Sequence, residues 1–193
     1  MSSPVIMLPR TNVEVKLRVA DLRPVLERAR AAGASFQWQR RQEDVFFAVP
    51  RGRLKLRREE GSVPHLVAYF REDRPEARES RYVIVPCPEA ELLQAALEST
   101  VGIAAVVRKK RTLLTWRTVR IHLDEVEGLG PFVELEAVVS GREGAEEGRR
   151  ELESLLEKLD LLRAERLPCA YVDLLCQGRQ PLGGQSNCGR PGT

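Results

Sequence analysis

The run His122-Leu123-Asp124-Glu125-Val126-Glu127-Gly128-Leu129-Gly130-Pro131-Phe132-Val133-Glu134-Leu135-Glu136 decides the fold. Apolar and polar residues alternate on both sides of a Gly-Leu-Gly-Pro turn, which predicts a β-hairpin. Residues two apart on a strand share a face, so Glu134 and Glu136 point the same way, with Asp124 expected across from them on the partner strand. Three carboxylates on one sheet face repel one another. Such a cluster needs a positive neutraliser, either a divalent metal or nearby Lys and Arg.

The same two-faced pattern extends outward along the chain. Arg53-Leu54-Lys55-Leu56-Arg57 is the most regular strand, with three cations on one face and two leucines on the other. Asn12–Val19 carries Glu14, Lys16 and Arg18 on one face. Extended segments are also expected over Ser35–Val49, His65–Arg71, Glu79–Val85, Val106–Leu114 and Arg117–Val126, ending with Phe132–Val139. Three amphipathic helices separate them. One begins at Asp21 as N-cap, with Pro24 in its first turn and Gly33 at its close; the others span Pro88–Thr100 and Glu146–Leu162. About eight strands and three helices make an α+β domain on a mainly antiparallel sheet. Residues 1–11 read as a loose leader, 12–176 as a single domain and 177–193 as a disordered tail rich in Gly, Pro, Gln and Ser.

Composition narrows the function. The 193 residues are 42% hydrophobic and 31% charged, and 31 basic side chains nearly balance 28 acidic ones for a net charge of +3. A protein that coats nucleic acid carries a larger basic excess, so no nucleic-acid partner is expected. No apolar run approaches the length of a membrane span and no signal-peptide pattern opens the chain, so no membrane partner is expected either. The four cysteines make no CxxC or zinc spacing, which favours a cytoplasmic setting. Cys169 and Cys176 are expected in the core, and Trp38 and Trp116 to pack. His122 either touches a ligand or is a hydrogen-bonded structural residue.

Segregation of charge matters more than its sum. Glu14 and Lys16, the trio Arg53, Lys55 and Arg57, then Arg71, Arg81, Lys109 with Arg111, Arg120 and the hairpin acids all require one polar face. The opposite face is apolar, and the helices are available to cover it. About eight strands is the number that closes into a narrow barrel, so the charged face can turn inward to line a tunnel. Arg and Lys suit phosphate oxygens, and opposing carboxylates suit Mg²⁺ or Mn²⁺, so a long polyanion with its metal fits such a tunnel and a neutral ligand does not.

These residues together resemble the CYTH superfamily, the triphosphate tunnel metalloenzymes, which includes class IV adenylyl cyclases and thiamine triphosphatases. The resemblance covers about Asn12 to Leu175. It rests on Val13-Glu14-Val15-Lys16, Gln42-Glu43-Asp44-Val45-Phe46-Phe47, Gly52–Arg57, Arg81, Lys109–Arg111, the 124–136 hairpin and Tyr171–Leu175. It implies a closed eight-stranded barrel with helices packed outside and a lumen that binds a triphosphate. It implies Glu14, Asp124, Glu134 and Glu136 as metal-side carboxylates for Mg²⁺ or Mn²⁺. Lys16, Arg53, Lys55, Arg57, Arg71, Arg81, Lys109, Arg111 and Arg120 would line the phosphate path, with Lys16 as general base. The chain departs from the family's opening Glu-x-Glu-x-Lys by carrying Asn12 first, and it has Phe46-Phe47 where thiamine triphosphatase-like members carry a Tyr. The nearer match is the cyclase-like group, which converts ATP to cyclic AMP and pyrophosphate. Hydrolysis of tripolyphosphate, thiamine triphosphate or a nucleoside triphosphate is the alternative enzyme. A non-catalytic polyphosphate-binding module, suggested by Asn12, is the alternative of a different class.

Overall fold

Strands with one charged and one apolar face must stack or curl, and here they curl. The computed structural model describes residues 10–71, 77–139 and 141–178. Its strands are β1 (Arg10–Arg18), β2 (Ser35–Phe47), β3 (Arg53–Glu59), β4 (His65–Arg71), β5 (Arg78–Pro86), β6 (Ile103–Trp116), β7 (Val119–Val126), β8 (Gly130–Val139) and β9 (Glu165–Arg166). Its helices are α1 (Arg23–Ala31), α2 (Ala90–Thr100), α3 (Gly141–Lys158) and α4 (Tyr171–Gly178). The sheet order β5-β4-β3-β2-β6-β7-β8-β1 closes through a β1–β5 pairing, so eight strands form a barrel. The ninth, β9, pairs with the end of β1 at Leu17 and Arg18. All pairings are antiparallel.

The apolar faces turn outward and the helices cover them. Helices α1 and α3 lie over β1, β6, β7 and β8, burying Val13, Val15, Leu17, Ile121, Val133 and Leu135 under Leu152, Leu155, Leu156 and Leu159. Helix α2 covers Val45, Phe47 and Leu56 on β2 and β3. Helix α4 closes one end of the barrel, packing Tyr171 and Val172 against Phe46, Val107 and Phe132. The hairpin between β7 and β8 turns through Gly128 and enters β8 at Gly130, with φ of +75° and +91°, a backbone state that glycine adopts without a side-chain penalty. No helix among the described residues is long and apolar enough to cross a membrane.

Several element ends differ from the sequence expectation. β1 starts at Arg10, inside the expected leader, and α4 continues to Gly178; residues 1–9 and 179–193 lie outside the described residues. Asp21 accepts the Arg23 N–H at 2.9 Å but stands one residue before the N-cap Leu22. Helix α3 starts at Gly141 and stops at Lys158, because Asp160 enters the left-handed region at φ +58° and Leu161 N–H turns back to the Leu156 carbonyl.

Candidate active site

The barrel turns its polar face inward around a cavity of about 370 Å³. Alternation fixes which residues reach it, and strand register fixes which of them meet. On β8, Glu134 stands opposite His122 of β7 and Lys16 of β1, and Glu136 stands opposite Arg120 and Glu14. Asp124 is therefore not across from the glutamates. Its cross-strand partners are Phe132 on β8 and Arg111 on β6.

That register divides the acids into two groups. Asp124 is fully buried and enclosed by donors: Arg111 Nε and Nη2 each lie 2.6 Å from its two oxygens, Tyr171 donates its hydroxyl at 2.9 Å, and Lys109 Nζ is 3.5 Å away. Burial opposes its ionisation, yet Arg111 and Lys109 outweigh burial and hold the carboxyl well below the usual range. Asp124, expected among the metal-side carboxylates, is thus engaged by Arg111, Lys109 and Tyr171 in the metal-free geometry.

Glu14, Glu134 and Glu136 remain together. Glu134 Oε2 receives Lys16 Nζ at 2.8 Å and Arg111 Nη2 at 3.0 Å. Glu136 is held less tightly: Arg120 Nη1 is 3.7 Å and His122 Nε2 3.5 Å from its Oε2, while the Asn12 amide donates to Oε1. Burial, with Glu134 and Glu14 adding to it, raises the pKa of Glu136, so negative charge here is under-neutralised. His122 is pushed well below the ordinary imidazole range by burial and Arg111, so it adds no compensating charge.

The donor chemistry at this point suits a hard divalent cation. Asn12 is buried, and its Oδ1 has no hydrogen-bond partner among the described residues, leaving an amide oxygen beside two carboxylates. Among the described residues no three acidic, His or Cys side chains already converge on one cation-sized point, so Glu14, Glu136 and the amide oxygen would have to close up on the ion.

The expected phosphate-path residues are mostly brought together. Lys16, Lys55, Arg57, Lys109, Arg111 and Arg120 all line the cavity. Arg53 stands at the α4 end of the same strand face, where its Nη2 reaches Asp173 at 2.8 Å. Arg71 ends β4 opposite Ser80, and its side chain lies outside the described residues. Arg81 does not belong to the path. It pairs with Thr11 and Phe70 rather than with the lumen pair Ser80 and Tyr82, so alternation puts it on the outer face, and it is exposed.

Sequence reasoning missed four features. Asp44 on β2 binds Arg57 through two bonds of 2.7 and 2.8 Å and Lys55 at 2.9 Å. It shares a strand face with Gln42 and Phe46, and an acid opposite a Lys-x-Arg strand was the available signal. Glu59 continues the alternation of Arg53, Lys55 and Arg57 and takes Arg40 at 2.6 Å. Tyr171, given no role beyond the closing Tyr171–Leu175 stretch, contacts Lys16, whose Nζ sits 3.9 Å from the ring centre. Finally, one wall is apolar. Trp38, Val67, Tyr69, Tyr82 and Ile84 line the cavity too, and Trp38 was expected only to pack.

Residues 10–171 match the family model of the CYTH domain. The chain belongs to the CYTH domain family, whose members process triphosphates and use divalent metals. It is 25% identical over 172 residues to a Methanocaldococcus jannaschii protein named provisionally as an adenylate cyclase, covering 84% of this chain and 97% of that one. A solved protein of Pyrococcus horikoshii superposes with a TM-score of 0.74 at 24% identity, covering 84% of this chain and 98% of the other. A Hippeastrum protein, named provisionally as an adenylyl cyclase and described as having a dominant triphosphatase activity, superposes with a TM-score of 0.63 at 14% identity over 90% of this chain and 98% of that one.

Proposed function

We propose that this CYTH domain protein is a divalent-metal-dependent enzyme acting on a nucleoside triphosphate inside the tunnel, and that it most resembles a class IV adenylyl cyclase. The observation that carries this reading is the two-sided wall. Lys16, Lys55, Arg57, Lys109, Arg111 and Arg120 offer charge-assisted bonds to phosphate, while Trp38, Tyr69, Tyr82 and Ile84 offer an aromatic and aliphatic surface. Inorganic tripolyphosphate uses only the first wall. A nucleotide uses both.

In the cyclase reaction the ribose 3′-hydroxyl attacks the α-phosphorus and pyrophosphate departs. Arg57 and Arg111 present planar guanidinium groups to phosphoryl oxygens and stabilise the charge that grows on them. Glu14, Glu136 and the Asn12 amide oxygen would hold the cation, Mg²⁺ or Mn²⁺, which supplies charge neutralisation and orientation at the reacting phosphoryl group. Lys16, expected as general base, is engaged by Glu134 at 2.8 Å, and in this geometry it orients that carboxylate. The lysines suited to accept a proton near neutral pH are Lys109, pushed down to about 7 by burial and Arg111, and Lys55, pushed down to about 8 by burial and Arg57.

Triphosphate hydrolysis is the second reading, favoured by the activity named for the Hippeastrum relative of the same fold. Product analysis with ATP, tripolyphosphate and thiamine triphosphate, each with Mg²⁺ or Mn²⁺, separates the two. Cyclic AMP with pyrophosphate supports the cyclase. Orthophosphate release that Glu134→Gln abolishes moves the assignment to triphosphatase. Binding without turnover of any of the three sinks both enzyme readings.

A further inference from the structure

One buried acceptor in the lumen stands apart from the acids that would hold a cation. Gln42 is 4% exposed and lines the cavity from β2, with Glu59 on β3 and Lys109 on β6 as its cross-strand partners. Its Nε2 donates to Glu59 Oε2, while its Oε1 has no hydrogen-bond partner among the described residues. The amide cannot be turned over, because Oε1 would then meet the Glu59 carboxylate. The cations near it in register are turned to other acids. Lys109 Nζ lies 3.5 Å from Asp124, Arg57 holds Asp44 at 2.7 and 2.8 Å, and Arg40 Nη1 reaches Glu59 Oε1 at 2.6 Å. Asn12 Oδ1 and His122 Nδ1 are also buried without a partner among the described residues, but both side chains contact Glu136 and belong to the acidic corner. Gln42 belongs to neither the phosphate donors nor the acids.

An amide oxygen whose nitrogen is already committed can only accept. Phosphate oxygens are acceptors too, so Gln42 Oε1 suits an N–H donor on the uncharged part of the ligand. Trp38 and Arg40 precede Gln42 on the same strand face, opposite Leu113 and Arg111 of the cavity lining. The Arg40 guanidinium lies 4.9 Å from the centre of the Trp38 ring, and Glu59 grips Arg40 with one oxygen and Gln42 with the other. One carboxylate thus steadies an aromatic platform and the amide beyond it. We propose that Gln42 reads the nucleobase: with the base against Trp38, the Gln42 Oε1 accepts a hydrogen bond from an exocyclic amino group on the base edge. This rests on the nucleoside triphosphate reading above and narrows it to bases that carry such a group. A base with a carbonyl at that place sets oxygen against oxygen and is rejected.

The test compares ATP with purine riboside triphosphate, which lacks the 6-amino group, and with inosine triphosphate, which carries an oxygen in its place. Each competes against a fluorescent ATP analogue, and inorganic tripolyphosphate reports on the phosphate path alone. The wild-type protein is expected to bind ATP about 10- to 100-fold more tightly than either base analogue, the scale of leaving a buried acceptor unpaired. Gln42→Met keeps the side-chain length and removes the acceptor, so it erases that preference. Equal binding of the three nucleotides by the wild-type protein overturns the proposal, and this comparison needs no variant to fold. Gln42→Met weakening tripolyphosphate as much as ATP also overturns it, by giving Gln42 to the phosphate path or to the fold. A loss seen instead with 2′-deoxy-ATP puts a sugar hydroxyl on the amide and not the base. If the wild-type protein binds neither ATP nor tripolyphosphate, the triphosphate reading itself falls, and this inference with it. If it binds tripolyphosphate while the nucleotides tie, only this inference falls.

Discussion

Glu136 has unbalanced surroundings, since its neighbours include two other glutamates and its cationic neighbour Arg120 is 3.7 Å away. Glu136→Gln is therefore expected to weaken Mn²⁺ binding about 10- to 100-fold, as loss of a ligand or its support does. Asn12→Asp works in the opposite direction. It replaces the amide that donates to Glu136 with a second negative oxygen, so Mn²⁺ binding tightens while the metal-free protein loses stability through like-charge repulsion. Calorimetric titration with Mn²⁺ reads both, and equal affinities in all three proteins would remove the cation from this corner. The lysines make a separate prediction about pH. Lys109 at about 7 and Lys55 at about 8 hold fewer protons in the folded chain than their ordinary values near 10.5 give the unfolded one. Stability of the unliganded protein therefore rises with pH from about 7 to about 10.5. A bound polyanion raises both values, so binding takes up protons and weakens as pH climbs through 7 to 8. Calorimetry in two buffers of different ionisation heat measures that uptake, and a buffer-independent enthalpy contradicts it.

At the level of elements, α3 shows how packing can conceal a helix from its sequence. Gly141, Gly144 and Gly148 lower helix propensity over its first half, and the apolar stripe becomes periodic only from Leu152, so the expected start falls at Glu146. The glycines serve the docking of α3 on β8. A Cβ at Gly148 would meet Val139 Cγ1 at 2.8 Å and Ala137 Cβ at 3.1 Å. Gly148→Ala gains about 1 kcal/mol of helix propensity and loses about 1–3 kcal/mol to overpacking. A modest fall in melting temperature is the expected outcome, and a rise would mean that α3 can shift on the sheet. The strands were easier to read, because one charged and one apolar face leave no choice of parity at Arg53–Arg57 or along the 122–136 hairpin. Arg81 shows the limit of that reasoning. Tyr82 and Ile84 line the lumen and Val83 and Val85 face outward, so both faces of β5 are apolar and alternation alone cannot say which is inside. Asp44 was overlooked for another reason. A single acid in a mixed strand acquires meaning only when register sets it against Arg57.

For the whole molecule, a net charge of only +3 accompanies a 31% charged composition, and part of that charge is paired inside the barrel. Cations of the tunnel are largely matched by acids beside them, as in the pairs Lys16–Glu134, Arg57–Asp44 and Arg111–Asp124. Closure of the barrel at one end then depends on α4. Eight residues are too few for a stable isolated helix, so α4 must be held by its contacts. Asp173 supplies two of them at once: its Oδ2 accepts the Ala170 N–H at 2.7 Å, in the manner of a capping residue, and Arg53 Nη2 at 2.8 Å. Tyr171 supplies a third through Asp124, and the apolar cluster around Phe46 and Phe132 supplies the rest. Asp173→Ala removes the cap and the ion pair while leaving that cluster intact. Loss of a cap alone costs about 1 kcal/mol, and the ion pair is partly exposed and adds little. The cost should fall on α4, because the barrel strands keep every ladder bond. Hydrogen exchange over Val172–Cys176 is expected to accelerate about tenfold or less while β6 and β7 exchange at the wild-type rate. Acceleration spread evenly over the barrel would instead make α4 part of one cooperative unit with the strands.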